Sequence, residues 1–123
     1  MKIEQFVEMA KRGVNESTKN TFHRAAKKVL REMATKFGLA TGTYDIRTNL
    51  GGVAVAGDTT LHGESIYIAF TPEAIFGKNF MYRSCKGRRD FAGGTNHWLA
   101  WDELLNLDNA VETINRRLGR EAA

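Results

Sequence analysis

The residues with the clearest chemical potential lie between positions 82 and 98, in a segment whose composition is that of a loop. Four cations occur there with three aromatic rings and three glycines, and Asp90 is the one acid that opposes them. Cations bind phosphate, rings stack on nucleobases, and glycine lets a backbone approach a ligand closely. The segment therefore predicts contact with an anionic polymer. The predicted contact residues are Arg83, Lys86, Arg88, Arg89, Asn96, His97 and Trp98.

A second group of cations falls on one side of a helix that is expected to run to Phe37. With about 100° between successive residues, the apolar side chains of this helix gather on one side and the cations on the opposite side. Such a row can lie along a phosphate backbone, although a solvated surface helix shows the same pattern. If the helix and the loop share one side of the fold, their electric fields add. The cations of this face are Arg24, Lys27, Lys28 and Arg31.

Apolar residues at helical spacing predict helices at both ends of the chain. They recur over residues 2–12, from Asn15 to Phe37, and again after Asp108. Asn15 is expected to cap the second helix and Gly38 to end it. A short helical turn is predicted at 72–76, because Thr71 and Pro72 suit its first positions.

Between the helices, β-branched and aromatic residues alternate with polar ones, which is typical of half-buried strands. Strands are predicted at 43–48, 52–60, 65–71 and 79–85. Their short connections favour an antiparallel meander. The predicted fold is α+β, with two N-terminal helices, a four-stranded antiparallel meander sheet and a C-terminal helix packed on one face. The whole chain, residues 1–123, is expected to form a single domain.

Composition and net charge indicate the class of protein and the compartment in which it is expected. The chain has 123 residues, a net charge of +4 and a hydrophobic fraction of 42%, values that predict a basic, globular monomer or small homo-oligomer. Its single cysteine excludes an internal disulfide, and the sequence from Met1 onward lacks the apolar core of a signal peptide. No apolar run is long enough to span a membrane. We therefore expect a cytoplasmic protein with no membrane partner.

Catalytic and metal-binding interpretations start from the cysteine and the histidines. Cys85 with His62 or His97 contains the pieces of a thiolate nucleophile and its base. His23, His62 and His97 are far apart and have no ligand spacing, and the Gly pairs match no nucleotide-binding fingerprint. Sequence therefore predicts no cofactor, no metal site and no catalytic residue. The scattered acids, which are weak candidates for a carboxylate metal site, are Asp45, Asp58, Glu64 and Asp90.

Three functional hypotheses follow. The first is a non-catalytic nucleic-acid-binding domain, for DNA or RNA, that uses the loop and the basic helix face. The second is a small accessory protein of a phage or mobile element that binds and inhibits a host nuclease or defence complex, with Trp98 and Trp101 as interface anchors. The third is a cysteine- or metal-dependent enzyme, which requires Cys85 or two histidines to meet in a cleft.

Overall fold

The computed structural model describes residues 1–53, 55–73, 77–90 and 93–120. Three α-helices pack beside one antiparallel sheet whose five strands follow each other in chain order. The predicted α+β class and the meander topology are confirmed. The elements are α1 (Ile3–Arg12), α2 (Lys19–Lys36), β1 (Asp45–Asn49), β2 (Asp58–His62), β3 (Ile66–Phe70), β4 (Asn79–Ser84), β5 (His97–Ala100), a 3₁₀ helix (Trp101–Leu105) and α3 (Leu107–Leu118).

The sheet has one more strand than the sequence predicted. Residues 97–100 form β5 and pair with β4, so that Leu99 lies opposite Phe80, although residues 97 and 98 were predicted to belong to the basic loop. Four residues are too few for an alternating pattern to be recognised in sequence. Of the short helical turn predicted at 72–76, residues 74–76 lie outside the described part of the chain.

The second strand begins later than predicted, at Asp58 instead of residue 52. The buried ammonium of Lys19 donates to the backbone carbonyls of Leu50, Gly52 and Val55, at 3.0, 2.9 and 3.1 Å. Carbonyls bound in this way point at α2 and not at a neighbouring strand. A side chain from α2 therefore holds the β1–β2 connection as a loop.

The helices cover only one face of the sheet. Residues of alternate position, among them Leu61, Ile68 and Phe80, point toward the helices and join one hydrophobic cluster with buried residues of α1, α2 and α3. Trp101 lies in the middle of this cluster, with its ring centroid 5.1 Å from Phe70 and 5.3 Å from Phe80. We call this the helix face of the sheet.

The other face, which we call the outer face, carries the intervening residues of each strand. Across β2, β3 and β4, His62 lies opposite Tyr67, which lies opposite Arg83. The rings of His62 and Tyr67 meet edge to face, with their centroids 5.2 Å apart. The guanidinium of Arg83 lies over the ring of Tyr67, 4.3 Å from its centroid. Every helix that the structure describes therefore lies across the sheet from this row.

None of the described helices has the length and apolar character needed to cross a membrane.

Candidate functional site

Two of the predicted loop cations lie across the sheet from the basic face of α2. His23 of α2 contacts Thr59 on the helix face, with 2.7 Å between Nδ1 and Oγ1. Arg83, at the start of the predicted loop, points to the outer face and binds residues 90 and 93 there. The sheet thus separates Arg83 from α2, and Arg88, which pairs with Asp45 of β1, also lies on the outer side. Strand alternation decides this, because it sends neighbouring residues to opposite faces.

Arg83 is buried, with 3% of its surface exposed, and is part of the architecture of the loop. Its guanidinium donates to the carbonyls of Gly93 at 2.6 Å, Asp90 at 2.9 Å and Ser84 at 3.3 Å. A side chain whose donors are directed at backbone carbonyls cannot reach a phosphate from solvent without opening the loop. The placement of Arg83 therefore does not fit the direct phosphate contact expected from sequence.

The other loop cations differ in their availability. Arg88 forms ion pairs with Glu64, at 3.3 Å, and with Asp45, at 3.7 Å, so two acids already neutralise it. Lys86 and Arg89 are exposed and make no ion pair with an acid in the described residues. Two of the four loop cations thus remain available to a ligand.

The three remaining predicted loop contacts do not share one surface. His97 stacks on Tyr82 toward the helix face, with ring centroids 5.3 Å apart. Trp98 is the next residue of the strand and points to the outer face, where 43% of its surface is exposed. Asn96 is exposed and lines a small cavity beside Trp98. By contrast, Trp101 is 1% exposed, so it cannot be the interface anchor proposed from sequence.

The basic face of α2 keeps the arrangement predicted from its periodicity. Arg24, Lys27, Lys28 and Arg31 are all exposed, on the side of the helix turned away from the sheet. Among the residues that the structure describes, none of the four is ion-paired. This face is therefore the largest group of available cations found along one described element.

A groove that no sequence pattern indicated borders this face. It has a volume of about 690 Å³ and lies between α1, α2 and the 3₁₀ helix. Its position depends on how three separate elements pack, which no local pattern reveals. In the sequence, Leu104 and Leu105 both have the character of core residues. In the structure only Leu104 is buried, and the exposure of Leu105 marks one wall of the groove. The groove is lined by Met1, Ile3, Phe6, Thr21, Arg24, Ala25, Lys28, Val29, Glu32, Leu104, Leu105 and Leu107.

The thiol of Cys85 faces a backbone carbonyl, and the two histidines considered with it point to opposite faces of the sheet. The thiol of Cys85 donates to the carbonyl of Gly63 at 3.4 Å, and burial raises its pKa, which disfavours the thiolate. His62 points to the outer face and His97 to the helix face. His23 is held in α2 between Thr59 and a backbone carbonyl, and burial lowers its pKa. Within the described ranges, no three potential metal ligands cluster.

Comparison of the chain with protein-family models, with curated proteins and with solved structures finds no match in any of the three.

Proposed function

We propose that the protein is a non-catalytic nucleic-acid-binding domain whose contact surface is the basic face of α2, formed by Arg24, Lys27, Lys28 and Arg31. The observation that carries the proposal is that these four cations are exposed and make no ion pair with a described acid. An unpaired cation on a surface can release a counterion from a nucleic acid and so contribute to affinity.

The length of the face suits a phosphate backbone. From residue 24 to residue 31 the helix advances about 10 Å, since each residue adds about 1.5 Å. A duplex strand advances about 3.4 Å for each phosphate, so the four side chains reach about three or four phosphates. Contacts of this kind position a protein on nucleic acid without reading its sequence. We therefore expect binding with little base preference.

The salt dependence of affinity tests the proposal. Four phosphate contacts on a duplex predict a slope of about −3.6 in log K against log salt concentration, at about 0.9 for each contact. Affinity should then fall about 150-fold between about 50 and about 200 mM salt. Fluorescence anisotropy with a labelled duplex of about 20 base pairs measures both quantities. Absent binding, or binding that salt does not weaken, would refute the proposal.

A matched pair of variants separates the helix from the loop. Lys27→Gln with Arg31→Gln removes two charges from α2, and Lys86→Gln with Arg89→Gln removes two from the loop that follows β4. The first pair should reduce the salt slope by about 1.8, because each lost contact removes about 0.9. The second pair should leave the slope near that of the unmodified protein. The reverse ranking would assign nucleic-acid binding to the loop.

A further inference from the structure

The groove beside α2 combines an apolar floor with a charged rim. Phe6, Val29 and Leu104 are buried at its base, whereas Leu105, on its wall, is 50% exposed. Arg24 and Lys28 lie on one side of it. A phosphate backbone offers nothing to apolar side chains, so nucleic-acid binding by α2 leaves exposed Leu105 and half-buried Ala25 and Leu107 without a partner. A ligand that uses the whole groove must carry both apolar and anionic groups.

The shape of the groove indicates an elongated ligand. Its lining follows α2 from Thr21 to Glu32, which is about 16 Å of helix axis at about 1.5 Å for each residue. Residues of α1, the 3₁₀ helix and α3 line the rest of the groove, so an elongated ligand fits along α2. A helix of about three turns has this length. Helical ligands commonly bind such grooves by placing one apolar face on the floor.

The charges on the rim set the chemistry of the ligand. Arg24 and Lys28 are four residues apart, so both point from the same side of α2. Carboxylates with the same spacing on a bound helix would meet them. Glu32 follows one turn later and would repel a carboxylate at that end of the groove. It suits the positive N-terminal end of a bound helix instead.

We propose that this groove docks an amphipathic helix of a protein partner that carries acidic residues beside its apolar face. Leucine-like side chains of that helix pack on Leu105, Ala25 and Leu107. Its carboxylates pair with Arg24 and Lys28. The proposal goes beyond nucleic-acid binding and does not rest on it, because the accessible apolar side chains of Leu105, Ala25 and Leu107 carry it. It defines a second ligand class for this end of the molecule.

The experiment uses a synthetic peptide of about 14 residues, long enough for about three to four helical turns. Leucines stand at helical spacing on one face, and glutamates four residues apart flank them. One control peptide has the same composition in scrambled order, and another has lysine in place of each glutamate. Titration of the ¹⁵N-labelled full chain should shift the amide signals of Ala25, Leu105 and Leu107. Both control peptides should bind at least about tenfold more weakly, since each lacks one of the two complementary features.

Two variants of the chain complete the test. Leu105→Ser removes an exposed side chain from the wall, and it should weaken the acidic peptide about tenfold. Arg24→Glu with Lys28→Glu should abolish binding of the acidic peptide and create binding of the lysine peptide. The circular dichroism spectrum of this variant should match that of the unmodified chain, so that the exchange of preference is measured on a folded protein. Lys86→Glu with Arg89→Glu changes two residues that do not line the groove and should change neither affinity.

Three results would overturn the proposal. Equal binding of the scrambled peptide would mean that amphipathic shape plays no part. Equal binding of the lysine peptide by the unmodified chain would remove the role of Arg24 and Lys28. If Leu105→Ser weakened duplex binding as much as it weakened binding of the acidic peptide, the groove would be part of the nucleic-acid surface. Loss of duplex binding alone would refute only the proposed function.

Discussion

Replacing Arg83 distinguishes a structural role from a ligand-binding role for the most buried cation of the loop. Arg83→Met keeps most of the apolar volume and removes the guanidinium, which makes two short hydrogen bonds, at 2.6 and 2.9 Å, to the carbonyls of Gly93 and Asp90. A hydrogen bond from a charged donor contributes about 1.5 kcal/mol or more. The two together predict a loss of about 3 kcal/mol in the free energy of unfolding.

Urea denaturation followed by circular dichroism measures this loss. With an m-value of about 2 kcal/mol/M, the midpoint should fall by about 1.5 M while m stays unchanged. Arg83→Lys should give an intermediate loss, because an ammonium keeps the charge but lacks the planar fork that spans two carbonyls. Lys86→Met is the matched control from the same loop, and this exposed residue should change stability by no more than about 0.5 kcal/mol.

A stable Arg83→Met variant with weakened nucleic-acid binding would refute the reasoning. It would mean that the guanidinium leaves its carbonyl partners for a phosphate. A destabilised variant that still binds the duplex at low temperature, with the salt slope of the unmodified protein, agrees with a structural role.

Three further predictions concern stability. His23 and His62 both have pKa values lowered by burial, so the unfolded chain binds protons first and the free energy of unfolding should decrease as the pH falls below about 6.5. Urea midpoints measured from pH 8 down to about 5.5 check this. His23→Gln should make the midpoint depend less on pH, and a variant with the same pH dependence as the unmodified protein would contradict the role of His23. Gly57→Ala should lose about 2 kcal/mol or more, because φ is +75° and the new Cβ would overlap a backbone carbonyl oxygen. Gly52→Ala, with open space at its Cβ, should be nearly neutral, and equal losses for both would contradict the steric argument. Trp101→Ala should lose about 3–5 kcal/mol by thermal or urea unfolding, since the ring fills the centre of the core, and a loss below about 1 kcal/mol would contradict that placement.

Much of the fold follows from local patterns. The apolar and basic faces of α2 come from a period of 3.6 residues, and the structure places its Phe22 and Leu30 in the core and its Arg24 and Lys28 in solvent. The strand alternation likewise marks Ile66, Ile68 and Phe70 correctly as core residues. These patterns succeed because burial of one face is a property of each element by itself.

The candidate site was less accessible to prediction, because its features depend on long-range packing. Arg83 and Arg88 read alike in the sequence, yet one is buried under the loop and the other is paired with acids from β1 and the β2–β3 turn. Lys19, which gave no signal in sequence, proves to be a buried residue that binds three carbonyls more than 30 positions away. Lysine is rarely buried, so its residue type predicts an exposed side chain at position 19.

By itself, the amino-acid sequence determined the helices, most of the strands, the α+β class and the basic face of α2 opposite its apolar face. Only the tertiary structure decided that the sheet lies between α2 and Arg83, and that a groove opens beside α2. The reason is physical. Periodicity records which side of an element avoids water, whereas the meeting of distant elements depends on the packing of the whole core.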